Sequence, residues 1–192
     1  MSSQDTSFAR LVSLACHDLR TPLATVHGFA RTIERTQELE DPLARYLEMI
    51  NAAAAQMTDL LETLSAAARI EGGRYEPPVV EVDTLDLARS AAARVEGASA
   101  EGNGATLTTD GEGVERALAG FASCAVRHGA SSSVTLRARG KNVVIAPVNE
   151  PARRVILGED LKDLGAAVAI RIVRALGGSV ELEGDELRVT LA

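Results

Sequence analysis

A histidine, a carboxylate and a hydroxyl lie within five positions of one another in residues 16–23, C-H-D-L-R-T-P-L. His17 and Thr21 are four apart, so a helix would stack them on one face, a turn apart. Asp18 adjoins His17 and can reach the imidazole edge. A carboxylate that accepts the proton of one ring nitrogen fixes the tautomer and leaves the other nitrogen as a lone-pair nucleophile. Such a ring suits attack on phosphorus, provided it is exposed enough to dock a bulky phosphorylated partner. Thr21 could orient a water for the reverse, hydrolytic step. Pro22 removes the amide that would bond the Asp18 carbonyl, and so loosens the turn that carries His17.

The element that must present these side chains is a long helix. Phe8, Val12, Ala15, Leu19, Pro22, Val26, Phe29 and Ile33 follow each other at alternating spacings of four and three, a heptad seam. His17 falls at the f position, farthest from that seam, and is expected to be exposed. A second seam runs Leu43, Leu47, Ile50, Ala54, Met57, Leu61, Leu64, Ala68. Asp41 reads as its cap, Pro42 as its first helical residue, and Gly72-Gly73 as its stop. The spacing predicts helices over 5–37 and 42–71, the first roughly 50 Å long. Leu11, Leu14, Leu23, Tyr46 and Leu60 widen the stripes beyond a two-stranded seam. A four-helix bundle built by two chains would cover them, so a homodimer is expected. The alternative is a hairpin packed on the second half of its own chain.

Beyond Pro77-Pro78 the rhythm changes. V-V-E-V and A-T-L-T-T read as short strands, and 84–95 as a helix capped by Asp83. Residues 113–128 and 165–176 read as helices, the last stopped by Gly177-Gly178. Two hairpins turn at Gly140-Lys141 and Gly184-Asp185. The expected fold is α+β: a long helical hairpin forming a dimeric four-helix bundle, followed by an α/β sandwich. The expected domains are 1–73, a helical hairpin for dimerisation, and 74–192, an α/β sandwich.

Composition narrows the partners. The 192 residues are 46% apolar but only 3% aromatic, with no Trp, so the core is aliphatic. A net charge of −7 disfavours nucleic acid, whose phosphates need a basic surface. No apolar run has the length of a membrane span, and M-S-S-Q-D-T-S is no signal peptide, so no membrane contact and a cytoplasmic location are expected. Cys16 and Cys124 read as two reduced thiols without a metal pattern. The methionine start and a finished last strand suggest a full-length chain.

The stretch L-A-C-H-D-L-R-T-P-L-A-T-V-H-G-F resembles the H-box of sensor histidine kinases, in their dimerisation and phosphotransfer domain. The resemblance implies His17 as phosphoacceptor, Asp18 as general base and Thr21 as the phosphatase-type residue. Arg20 matches a basic position of the motif, whereas His27 matches nothing and reads as surface. The second half resembles the ATP-binding domain of that family in layout. The segment V-E-R-A-L-A-G-F-A-S-C-A-V-R-H-G is similar to its N-box helix, and I-R-I-V-R-A-L-G-G-S-V-E-L-E-G to its last helix and hairpin.

The catalytic letters of that domain are missing. Gly120 and Cys124 stand where the N-box has two asparagines, the second a magnesium ligand, and neither offers the hard oxygen Mg²⁺ requires. Arg127 and His128 remain beside them. P-V-N-E-P-A-R-R has neither the adenine-reading aspartate nor the glycines after it. Asp163 replaces one of the later glycine pair, leaving Gly165. Only 13 residues separate Asn149 from Asp163, too few for a nucleotide lid.

From this the first expectation is a histidine phosphotransferase of a two-component phosphorelay. It would move a phosphoryl group between receiver-domain aspartates through His17 without ATP, as a homodimer meeting response-regulator receivers. No cofactor or metal would be bound by this chain, and the Mg²⁺ would come from the receiver's acidic pocket. The first alternative is a divergent ATP-dependent sensor histidine kinase/phosphatase core. The second is a non-enzymatic pseudokinase scaffold that binds a response regulator.

Overall fold

The computed structural model describes residues 3–36 and 40–192. The chain divides into two compact units, Met1–Gly73 and Arg74–Ala192.

The first unit is a helical hairpin of α1 (Ser3–Thr36) and α2 (Leu43–Glu71). The expected end of the first helix at 37 lies outside the described residues. Helix α1 runs through Pro22 as one element. One feature corrects the sequence reading. Pro42, not Asp41, is the N-cap of α2, and no side chain caps it; the Glu40 carbonyl instead accepts the Leu43 amide at 2.8 Å. The buried line of α1 is Ala9, Cys16, Leu23 and Ala30, one residue per heptad. Small side chains here let two helices approach closely. The larger members of the expected seam, Phe8, Leu19, Val26, Phe29 and Ile33, are exposed on the hairpin. Asn51 Nδ2 donates to Glu34 Oε2 at 2.8 Å and ties α2 to α1. Gly72 ends α2 by donating to the Ala68 carbonyl, and Gly73, at φ +63°, takes the left-handed turn that follows.

The second unit holds a five-stranded sheet in the order β2-β4-β5-β7-β6, formed by β2 (Ala98–Gly104), β4 (Val134–Gly140), β5 (Asn142–Ala146), β6 (Ser179–Glu183) and β7 (Glu186–Thr190). Strand β2 pairs parallel with β4, and the other pairings are antiparallel. A small two-stranded sheet joins β1 (Val80–Asp83) to β3 (Thr106–Thr109). Helices α3 (Thr84–Ala93), α4 (Gly111–His128) and α6 (Leu164–Ala175), with the short α5 (Glu150–Ile156), complete the unit. Alternation along β4 turns Val134, Leu136 and Ala138 inward, Val143, Val144 and Ile145 of β5 are all buried, and Val114, Leu118 and Phe121 of α4 and Ile172 of α6 are buried in the same unit. Both predicted hairpins form, and Gly140 and Gly184 take positive φ at their turns. Strand β2 and helix α5 were not anticipated.

Asp83 caps α3 by accepting the Leu85 amide at 2.8 Å, as expected. Asp110 caps α4 through Gly113 at 3.0 Å, and the Tyr75 hydroxyl donates to its other oxygen at 2.7 Å. Buried Thr84 donates to the Gly140 carbonyl at 2.7 Å and accepts the Ala105 amide at 2.9 Å, so its hydroxyl is satisfied. Among the described residues, no helix is long and apolar enough to cross a membrane.

Candidate functional site

Helix α1 carries the His17 turn on its open side. Burial of neighbouring Cys16 in the hairpin points the next side chain away, and the His17 side chain is 76% exposed. Its Nδ1 lies 3.2 Å from Asp18 Oδ1. With the proton on Nδ1, the ring donates to the carboxylate and Nε2 keeps its lone pair for solvent. Asp18 is itself 68% exposed, so this contact orients the ring more than it stabilises the fold. Thr21 is exposed one turn on, and its carbonyl accepts the Thr25 hydroxyl at 3.1 Å. The structure thus places all three residues of the first candidate site on one stretch of open helix.

The second region lies between α4 and α6. Asp163 is the N-cap of α6: its Oδ1 accepts the Ala166 amide at 3.0 Å. Its side chain is 1% exposed, and Oδ2 sits 3.3 Å from both Arg127 and His128 Nε2. A carboxylate therefore occupies the positive N-terminus of the helix, where an anion would otherwise be favoured. Arg127 also donates to Ser123 Oγ, from Nε at 3.1 Å and from its terminal nitrogen at 2.9 Å.

Gly120 faces the first turn of α6 so closely that a Cβ there would stand 2.9 Å from the Gly165 carbonyl oxygen. Any side chain at this position would push the two helices apart. Cys124 is buried; that burial and then the Asp163 carboxylate push its thiol up to about 12, against the opposing pull of Arg127.

Cys124, His128 and Asp163 bring one donor atom each within 4.8 Å of one another. The sequence reading saw no metal pattern. The local signal was the one-turn spacing of Cys124 and His128 on α4, but the third member is distant in the chain. Beside His128 opens a cavity of about 370 Å³, lined also by Glu150, Pro151, Arg154, Val155, Asp160 and Lys162. Its cations are already engaged: Lys162 lies 2.6 Å from Asp160 and Arg154 3.5 Å from Glu159.

Residues 9–73 match the model of the His Kinase A (phospho-acceptor) domain. Over 100 residues the chain is 28% identical to the "Probable sensor histidine kinase TcrY" of Mycobacterium tuberculosis, spanning 52% of this chain and 20% of that protein. Among solved structures it is similar to full-length ShkA in complex with AMPPNP, with TM-score 0.64 and 22% identity over 95% of this chain and 46% of that one. It is also similar to the Acinetobacter baumannii histidine kinase AdeS, with TM-score 0.53 and 16% identity over 92% of this chain and 97% of that one. The chain therefore spans a fifth of TcrY and less than half of ShkA.

The fold is a helical hairpin followed by an α/β unit of the histidine kinase ATPase type, α+β overall. The comparisons give a phospho-acceptor domain match over residues 9–73 and, over most of the chain, a fold shared with histidine kinases of known structure, which lies nearer to the reading first held as the alternative. They carry nothing specific to a phosphotransferase.

Proposed function

We propose that the chain is a divergent histidine kinase core of two-component signalling that exchanges a phosphoryl group with a receiver-domain aspartate through His17. The observation that carries this reading is the exposed imidazole whose Nδ1 faces Asp18 Oδ1 at 3.2 Å. The lone pair of Nε2 attacks the phosphorus of an aspartyl phosphate. The bond from phosphorus to the aspartate oxygen breaks, and the receiver keeps its carboxylate. Asp18 holds the Nδ1 proton and favours the positive charge that develops on the ring. Thr21, one turn on, orients the water for hydrolysis. Mg²⁺ is supplied by the receiver's acidic pocket. A second copy of the chain covers the exposed apolar residues of the hairpin and completes a four-helix bundle, a reading supported by the phospho-acceptor domain match.

A specific set of observations favours a receiver, rather than ATP, as the phosphoryl source. The second unit does not fit a magnesium nucleotide. Gly120 has no side chain and no room for one, and Cys124 offers sulfur in place of a hard oxygen. Asp163 puts a carboxylate on the helix N-terminus, where the Arg127 guanidinium and the His128 ring each stand 3.3 Å from it. This is the phosphotransferase reading, with phosphoryl groups moving between receivers.

The test is incubation of the chain with a panel of phosphorylated receivers, and separately with labelled MgATP. Label acquired from a receiver, with none acquired from ATP, is the expected result. Efficient autophosphorylation from ATP would return the chain to the ordinary kinase direction, and no label from either source would defeat the proposal.

A further inference from the structure

We propose that Cys124, His128 and Asp163 form a zinc site between α4 and α6. The proposal goes beyond the phosphoryl-transfer reading and does not depend on it.

The three donors are a sulfur, an imidazole nitrogen and a carboxylate oxygen, a set that suits a borderline-soft divalent cation and not Mg²⁺. Helix α4 supplies Cys124 and His128 from one face, a turn apart, and the N-cap of α6 supplies Asp163. The Asp163 Oδ2 to His128 Nε2 separation is 3.3 Å. Bonds of about 2.0–2.1 Å at a tetrahedral angle span an edge of about 3.3 Å. The donor set as a whole lies within 4.8 Å and would contract around an ion by small side-chain rotations, the His128 side chain being 26% exposed.

An independent observation points the same way. Asp163 Oδ2 is buried and receives no hydrogen bond, although the side chain is only 1% exposed. Its charge is met by the Arg127 guanidinium at 3.3 Å without a hydrogen bond, which leaves its lone pairs open to a cation. Its partner oxygen is anchored on the Ala166 amide, which fixes the carboxylate as supporting hydrogen bonds fix metal ligands.

Arg127 is the competitor for Oδ2 at 3.3 Å. Its guanidinium is 62% exposed and already bonded to Ser123, so it swings to solvent at little cost. Binding releases the Cys124 thiol proton to solvent and leaves a thiolate on the metal. Three protein ligands would leave a fourth position for water.

The experiment uses the untagged full chain, stripped with a chelator and titrated with Co²⁺ as a spectroscopic stand-in, then with Zn²⁺. We expect about one equivalent of Co²⁺ with a thiolate-to-cobalt charge-transfer band and tetrahedral d–d bands, both displaced by Zn²⁺. The Cys124→Ser chain should lose the charge-transfer band, and Asp163→Asn, which keeps the cap, should bind more than about 10-fold more weakly. Cys16→Ala and His17→Ala should bind as the parent does, which separates this site from the phosphoacceptor turn. Absence of the band in the parent chain, or its survival in Cys124→Ser, would overturn the proposal and leave an ion pair of Asp163 with Arg127 and His128 only.

Discussion

The Nδ1 of His17 and the Oδ1 of Asp18 face each other at 3.2 Å on the open side of a helix that buries the preceding Cys16. The pair is adjacent in sequence, so the contact survives any motion of the hairpin as a whole. It selects the tautomer that leaves Nε2 nucleophilic. Asp18→Asn keeps the shape but not the charge, and should slow phosphoryl acceptance by roughly 10²-fold, the usual scale for a positioned acid–base group. Because Asp18 is 68% exposed, the far-ultraviolet circular dichroism should not change. An unchanged transfer rate would remove Asp18 from the mechanism.

The hairpin shows solvent a wide apolar surface that includes Phe8, Leu11, Leu19, Phe29, Tyr46 and Met57. A patch of this extent marks an interface. Phe8→Glu with Phe29→Glu places charges in the desolvated seam of a two-chain bundle. Sedimentation should show a dimer for the parent chain and a monomer for the double variant. A monomeric parent would refute the bundle.

Ala30 closes the buried line of α1 against α2, so a larger side chain must open the hairpin. Ala30→Leu should destabilise by about 1–3 kcal/mol, the ordinary cost of overpacking, read as a lower urea midpoint. Ala24→Leu, on the exposed side of the same helix, should cost little.

The Cys124 thiol gives the second unit an alkaline dependence. Its pKa rises from 9.0 to about 12 on folding, through burial first and then the Asp163 carboxylate. A folded value above the unfolded one means the folded state holds the proton more tightly. The contribution is complete below about 9 and is lost as pH rises toward 12. In metal-free protein, stability should therefore fall over this window, and Cys124→Ala should fall less steeply. Parallel curves for the two chains would contradict the burial argument.

Much of the fold could be read from local pattern, because those elements rest on local physics. Asp83 caps its helix through its own neighbours, and the hairpins follow alternating strands into glycines at positive φ. Strand β2, A-S-A-E-G-N-G, has almost no apolar content and is held by its register against β4, from Ala98 opposite Val134 onward, which no local pattern encodes. Helix α5 is too short to show a period. Within one hairpin the close contact is made by Ala9, Cys16, Leu23 and Ala30, a line the larger residues of the heptad seam hide from a reading by size; those larger residues stay exposed on the single hairpin.

The candidate sites divide the same way. His17, Asp18 and Thr21 are a contiguous motif and were visible at once. Cys124, His128 and Asp163 meet only because the first turn of α6 packs on α4 at Gly120 and Gly165, a tertiary contact. In the sequence Asp163 stands out only as a replacement for one glycine of the later pair. Its role as a helix cap follows from which amide it meets.

The central claim is that His17 carries the phosphoryl group, and the most direct measurement is to locate that group. A ³²P-labelled receiver is mixed with the parent chain and with His17→Ala, and the labelled chain is digested and sequenced by mass spectrometry. The account predicts acid-labile, alkali-stable label on the peptide containing His17 and none on the variant. Label retained by His17→Ala, or found on His27 or His128 in the parent, would contradict it.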